Sequence, residues 1–248
     1  MKLNFKVMCI ALVSLVVMTA CESKDTPAGD GDAVAKAPVA ENTEAPKEEA
    51  KKAEEKTGAA ALKEAEEKTE EVTTAKVGSP APEFTLKDQD GNEVKLSQFK
   101  GKPVVLEWTN PGCPYVQRHY KAKTMSETHK ASGGDEKVVW LAIDSSNHVT
   151  AEKATEWKKT EGFEYPVLLD ASGETGKLYG ATTTPHMYIV DKEGVLVYAG
   201  AIDDNPRGDK EAKDVTNYVS QALKALEEGK PVESAETKSY GCTVKYKS

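Results

Sequence analysis

The chain has 248 residues, with 41 acidic against 33 basic side chains and a formal charge of −8 at neutral pH. An acidic balance without a basic cluster argues against a nucleic-acid partner. The apolar run over residues 7–18, with Lys2 and Lys6 at its start and Thr19-Ala20 after it, is too short to span a bilayer comfortably. This is the layout of a secretory signal peptide over residues 1–20, and no second membrane-spanning run follows. Residues 22–76 contain no aromatic side chain, and their only sizeable apolar ones are Val34, Val39, Leu62 and Val72. Such a stretch cannot bury enough surface to offset its ordering entropy, so residues 21–76 read as a tether. The a/d repeat that a coiled coil needs is absent. Residues 77–248 are then long enough for one core, divided into a body over 77–229 and a tail over 230–248.

Within the body, residues 83–96 predict a β-hairpin: Phe84 and Leu86 alternate with polar residues, Asp90-Gly91-Asn92 turns, and Val94 and Leu96 resume the alternation. Val104-Val105-Leu106-Glu107-Trp108 predicts a buried strand, broken by Asn110-Pro111-Gly112. Pro114 then opens a helix running to about Lys130 and ended by Ser132-Gly133-Gly134. Residues 138–143 predict a strand buried on both faces, and residues 150–160 a helix capped by Thr150. A short strand over 167–169, a short helix over 174–179, and a strand pair at 187–190 and 195–198 follow. A long amphipathic helix over 209–228 ends at Gly229-Lys230-Pro231. This order predicts an α/β domain with a central mixed sheet.

Cysteine usage narrows the chemistry. Cys9 falls in the signal and Cys21 at its end, which leaves Cys113 and Cys242 in the body and tail. Cys113 is expected where a strand hands over to a helix N-terminus. Unpaired N–H groups and the helix dipole favour a thiolate there, so Cys113 is the candidate nucleophile. In an oxidising compartment the two thiols are either a pair or two separate reactive groups, and sequence alone leaves that open.

The strand, the Cys113-Pro114 helix start and the later Thr184-Pro185 before a strand together resemble the thioredoxin fold. The N-terminal hairpin and the helix at 150–160 are similar to its redoxin branch, which includes the alkyl hydroperoxide reductase and thiol-specific antioxidant proteins. The resemblance implies a thioredoxin-like fold with an N-terminal hairpin extension and thiol oxidoreductase chemistry without a cofactor. It implies that Pro185 is a cis-proline facing Cys113, with Thr184 beside it lining the place of an extended thiol substrate. It also implies that Glu107 is a buried acid serving proton transfer, and a carboxyl in an apolar strand should have a raised pKa. Several positions depart from the pattern. Val116 stands where a second helix-start cysteine would be. Asn110 and Leu106 stand where peroxiredoxins carry Thr or Ser and Pro, with Thr109 one residue out of place. Arg118 is a candidate cation near the sulfur.

The tail Ser239-Tyr240-Gly241-Cys242-Thr243-Val244-Lys245-Tyr246, together with the segment around Cys113, resembles a group of bacterial redoxin-domain lipoproteins and secreted proteins. By that resemblance Cys242 resolves a sulfenic acid or mixed disulfide on Cys113. A static staple closing a loop, worth roughly 4–5 kcal/mol in the chain-entropy model, and two unpaired thiols are the alternatives. The small residues before Cys21 resemble the lipobox of bacterial lipoproteins, although Met18 replaces the usual leucine. Cys21 would carry the lipid and anchor the protein to the cell envelope, facing the extracytoplasmic side.

The expected function is therefore a membrane-tethered thiol oxidoreductase acting on a protein or small-molecule thiol or disulfide, or on a hydroperoxide. The alternative is a copper-handling module using Cys113 and His186, although the paired-cysteine copper motif is missing. His186 is expected near Cys113, Tyr115 at the substrate groove, and Trp108 in the groove or the core. His119 is expected to be structural, His129 and His148 to lie at the surface, and Asp203-Asp204 in a solvated turn.

Overall fold

The computed structural model describes residues 74–247. The signal peptide, Cys21 and nearly all of the tether lie outside the described residues. Near the start of the described residues, the Ala75 N–H donates to the Leu178 carbonyl oxygen.

The hairpin forms from β1 (Thr85–Asp88) and β2 (Glu93–Lys95), paired Leu86 to Val94. The apolar run becomes β3 (Val104–Trp108), and β4 (Val139–Asp144) and β5 (Val167–Leu169) run parallel to it in succession. Beyond β6 (Thr183–Thr184), β7 (His186–Val190) and β8 (Leu196–Gly200) add antiparallel strands on the other side of β3. The seven-stranded mixed sheet has the order β2-β1-β5-β4-β3-β7-β8. This is a thioredoxin-like α/β fold with the hairpin at one edge.

Strand alternation divides the core in two. Val105, Trp140, Ala142, Met187 and Ile189 pack with residues of α1 (Pro114–Lys121), α2 (Thr124–Ala131), α4 (Ala151–Glu161) and α6 (Tyr218–Glu227). Val104, Leu106, Trp108, Leu141, Ile143 and Tyr188 face the opposite side, against Phe84, Tyr179, Val244 and α5 (Glu174–Leu178). A one-turn α3 (Gly134–Lys137) precedes β4. The Thr150 hydroxyl accepts from the Lys153 N–H and starts α4, as its sequence predicts.

Two helices differ from expectation. The helix predicted to run to about Lys130 is broken at Lys123, which adopts a left-handed φ of 55°. Met125 follows Tyr120 by five residues and would sit some 140° around a continuous helix. The break returns Met125 to the core, where it is fully buried. The helix predicted over 209–228 begins only at Tyr218, where the Asn217 side chain accepts from the Ser220 N–H. Residues 209–214 contain Ala212 as their one apolar side chain, so they offer no face to bury; they form a loop with a single 3-10 turn.

The tail supplies an element that its sequence does not announce. β9 (Cys242–Thr243) pairs antiparallel with β6, Thr184 opposite Cys242 and Thr183 opposite Thr243.

Candidate active site

Trp108 ends β3 with its indole N–H donating to the Ser145 hydroxyl, which in turn donates to Asp170. The next turn is organised by Asn110. Its Oδ1 accepts from the Gly112 N–H at 2.7 Å, and its amide donates to the Ser146 hydroxyl at 2.7 Å. The Asn110 carbonyl accepts from the Cys113 N–H. Cys113 is therefore delivered as the N-cap of α1, with Pro114 at the first helical position.

Opposite it, the Thr184-Pro185 peptide bond is cis, and the Thr184 carbonyl oxygen accepts from the Cys113 thiol at 3.0 Å. Because β9 pairs with β6 across Thr184, the Cys242 Sγ comes to 2.7 Å from the Cys113 Sγ. Two cysteines 129 residues apart thus meet at the start of α1.

Their environments differ. Burial pushes the Cys113 thiol up, but hydrogen bonding with Cys242, with the Thr184 side chain and with the Val116 N–H at the helix start outweighs it, so its pKa lies below the ordinary thiol value. Burial and the neighbouring Cys113 sulfur push Cys242 up. Of the two, Cys113 is biased toward the thiolate and Cys242 toward the thiol. Cys113 is only 2% exposed, packed in the core with Cys242 of the tail against it.

Three residues, among others, hold that tail. The Tyr240 hydroxyl donates to Asp203 and lies 3.0 Å from His119 Nε2. Gly241 follows with a φ of 131°, and a Cβ there would run into the Thr184 carbonyl oxygen. Tyr246 lies over Gly173 and Gly176 and donates its hydroxyl to the Ala181 carbonyl oxygen.

Beneath the helix, Glu107 is fully buried and accepts hydrogen bonds from the Tyr120 hydroxyl at 3.0 Å and the Trp140 indole N–H at 2.9 Å. Desolvation exceeds these bonds, and its pKa rises to about 7. Glu107 and Cys113 are connected through α1, which carries Tyr120.

The structure thus brings together Cys113, Cys242, Thr184 and Pro185. Tyr115 is at the rim, 37% exposed, with its ring centroid 6.0 Å from that of Tyr240. Trp108 is core. His186 does not join them: its Nδ1 accepts from the Thr182 N–H and lies 3.2 Å from the Tyr188 hydroxyl, with the two ring centroids 4.6 Å apart and the planes tilted by 39°. Burial lowers its pKa to about 4. The β alternation after Pro185 turns its ring from the sulfur. Among the described residues no group of three or more His, Cys, Asp or Glu side chains is placed to hold a metal ion, and the copper reading loses its ligand set. Arg118 also points elsewhere, donating to the carbonyl oxygens of Asn205 and Pro206.

Two surface expectations are corrected. His129 is buried against Trp140 and Tyr165, because the break in the helix turns it inward with Met125. Asp203 is buried because Tyr240 of the tail covers it. His148 is exposed, as expected. Tyr240, Gly241, His119 and Asp203 escape the sequence reading as site residues. The Tyr-Gly-Cys run is their only local signal.

Residues 76–219 match the model of the Redoxin family. The chain belongs to the redoxin family. The matched region contains Cys113 and the Thr184-Pro185 bond and stops short of Cys242. A chloroplastic peroxiredoxin Q of Oryza sativa subsp. japonica is 33% identical over 132 residues, covering 49% of this chain and 57% of the relative. The thiol-disulfide oxidoreductase ResA of Bacillus thuringiensis subsp. konkukian is 30% identical over 128 residues, covering 49% and 67%. The chain thus spans little more than half the length of the peroxiredoxin Q relative. A crystal structure of a hypothetical protein from Sinorhizobium meliloti 1021 aligns over 71% of this chain and 97% of its own, with a TM-score of 0.60 and 29% identity.

Proposed function

We propose that this redoxin is a membrane-tethered, extracytoplasmic thiol–disulfide oxidoreductase in which Cys113 is the nucleophile and Cys242 the resolving thiol. The observation that carries this reading is the 2.7 Å approach of two sulfurs whose acidities are pushed in opposite directions. In the reducing direction the Cys113 thiolate attacks one sulfur of a substrate disulfide, and the other sulfur leaves as a thiolate. Cys242 gives up its proton and attacks the Cys113 sulfur, which forms the Cys113–Cys242 disulfide and releases the second substrate thiolate. Two electrons pass from the protein to the substrate, and an external dithiol resets it. Glu107, with a pKa of about 7, is suited to exchange protons near the site. The signal-peptide layout and Cys21 support export and lipid anchoring, with residues 21–76 as the spacer between membrane and body.

Similarity to peroxiredoxin Q favours a second reading, reduction of a hydroperoxide at Cys113. Against it, Asn110 is tied to Gly112 and Ser146, and Arg118 to the 205–206 loop, so neither is aimed at the sulfur.

Mass spectrometry separates the two after stoichiometric hydrogen peroxide or oxidised glutathione, on the wild type and Cys242→Ser. The exchange reading expects a Cys113–glutathione adduct that persists only in Cys242→Ser. A Cys113–Cys242 disulfide formed within seconds of peroxide, with sulfenic acid trapped in the variant, replaces it with the peroxidase reading. An inert Cys113 overturns both.

A further inference from the structure

β6 pairs with Cys242 and Thr243 of the tail, residue against residue, and the Thr184 carbonyl oxygen at its end also receives the Cys113 thiol. An outside polypeptide that brings a sulfur to Cys113 in extended form meets this same edge. The tail has to leave first, so the tail's own contacts describe what such a segment must match.

The most selective contact is made by Tyr240, two residues before the cysteine. Its hydroxyl donates to Asp203 and lies 3.0 Å from His119 Nε2, while its ring lies 6.0 Å from Tyr115 and 6.1 Å from His119, centroid to centroid. Asp203 and His119 are 5% and 3% exposed. A carboxylate this buried loses its phenol donor at a cost, and a phenylalanine cannot replace that donor. Gly241 passes against the Thr184 carbonyl oxygen, where a Cβ does not fit.

We propose that the groove filled by residues 240–244 is a specificity site for an extended, cysteine-bearing polypeptide with a tyrosine two residues before the cysteine and a glycine between them, and that tail and substrate exclude one another. The inference rests on the thiol–disulfide reading above and names its substrate.

The test uses the full chain as Cys242→Ser and as Gly241→Val/Cys242→Ser, whose tail is expelled. The probes are the peptide Ser-Tyr-Gly-Cys-Thr-Val with its cysteine joined to thionitrobenzoate, the same peptide with Phe or Ala for Tyr, and the glutathione–thionitrobenzoate disulfide. Cys113 forms a disulfide with the peptide sulfur. The bond to thionitrobenzoate breaks, and that group leaves as a coloured thiolate carrying the electron pair. In the double variant the Tyr peptide is expected to react at least tenfold faster than the Phe peptide, as a hydrogen bond to a carboxylate implies. It is also expected to react at least tenfold faster with the double variant than with Cys242→Ser.

A Tyr-to-Phe ratio below threefold overturns the tyrosine socket. Equal rates in the two variants overturn the exclusion. If Gly241→Val lowers the folded fraction, Tyr240→Ala/Cys242→Ser, with its socket vacated, takes its place under the same criteria. Colour from glutathione–thionitrobenzoate alone overturns this inference and leaves the exchange reading standing, whereas no colour from any probe overturns both.

Discussion

The loop carrying Cys113 and the tail carrying Cys242 end at one pair of sulfurs, yet they are held there by different means. The loop grows directly out of β3 and is fixed by neighbours just beyond β4: Ser145 under Trp108 and Ser146 under Asn110. The tail has two residues of strand, contacts at Tyr240, Gly241 and Tyr246, the buried side chain of Val244, and backbone hydrogen bonds from Val244 to Thr182 and from Asn147 to Lys245. The loop is a rigid mount and the tail a strap, so a reaction needing one sulfur fixed and the other able to leave has each property where it is required. A strap with two residues of strand paired on one side opens locally at lower cost than a strand paired on both sides inside the sheet.

The contrast is broken most completely at the fixed sulfur. Cys113→Ser is expected to abolish both the intramolecular disulfide and adduct formation with oxidised glutathione, read by mass spectrometry, while the circular dichroism spectrum is kept. Next in size, Gly241→Val drives the tail from Thr184 and lowers the local concentration of Cys242. Closure of the Cys113–Cys242 disulfide, followed by quenched-flow mass spectrometry, should slow by about a hundredfold, the order that misplacing a reacting group costs. Closure at the wild-type rate would show the strap to be held elsewhere.

The loop responds in stability. Asn110→Ala loses two hydrogen bonds of 2.7 Å and is expected to cost about 1–3 kcal/mol in urea unfolding, with the disulfide still able to form. An effect of similar size and opposite sign is expected at Glu107. Its pKa is raised in the folded chain to about 7, so its contribution is complete below the ordinary value of 4.5 and is lost as pH rises through 7. Glu107→Gln should therefore gain about 1–3 kcal/mol over the wild type at pH 8 and little at pH 4.5, in paired urea titrations. An equal difference at both pH values would assign the effect to packing.

The same contrast explains what the sequence reveals. Strands β3 and β4, the Thr150 cap and the placement of Cys113 at a helix start all rest on local patterns, and they are legible. The acidity of Glu107 is legible too, since an acid inside an apolar strand has nowhere to go but the core. The tail is not, because a two-residue strand has no periodicity and its partners are 58 residues or more away at Thr184 and Cys113. His186 shows the limit from the other side. Proximity in sequence to Pro185 suggests a role at the sulfur, while strand alternation turns the ring toward Tyr188. Asp203 reads as a solvated turn until Tyr240 is laid over it.

Order of synthesis gives the 129-residue interval between the two cysteines a consequence of its own. At about 5–20 residues per second, a ribosome needs on the order of ten seconds to make the chain between them. Throughout that interval Cys113 exists without its partner Cys242. A transcript cut short by a premature stop before Cys242 would leave it in that condition permanently, with a nucleophile, no cover and no internal means of releasing what it has captured.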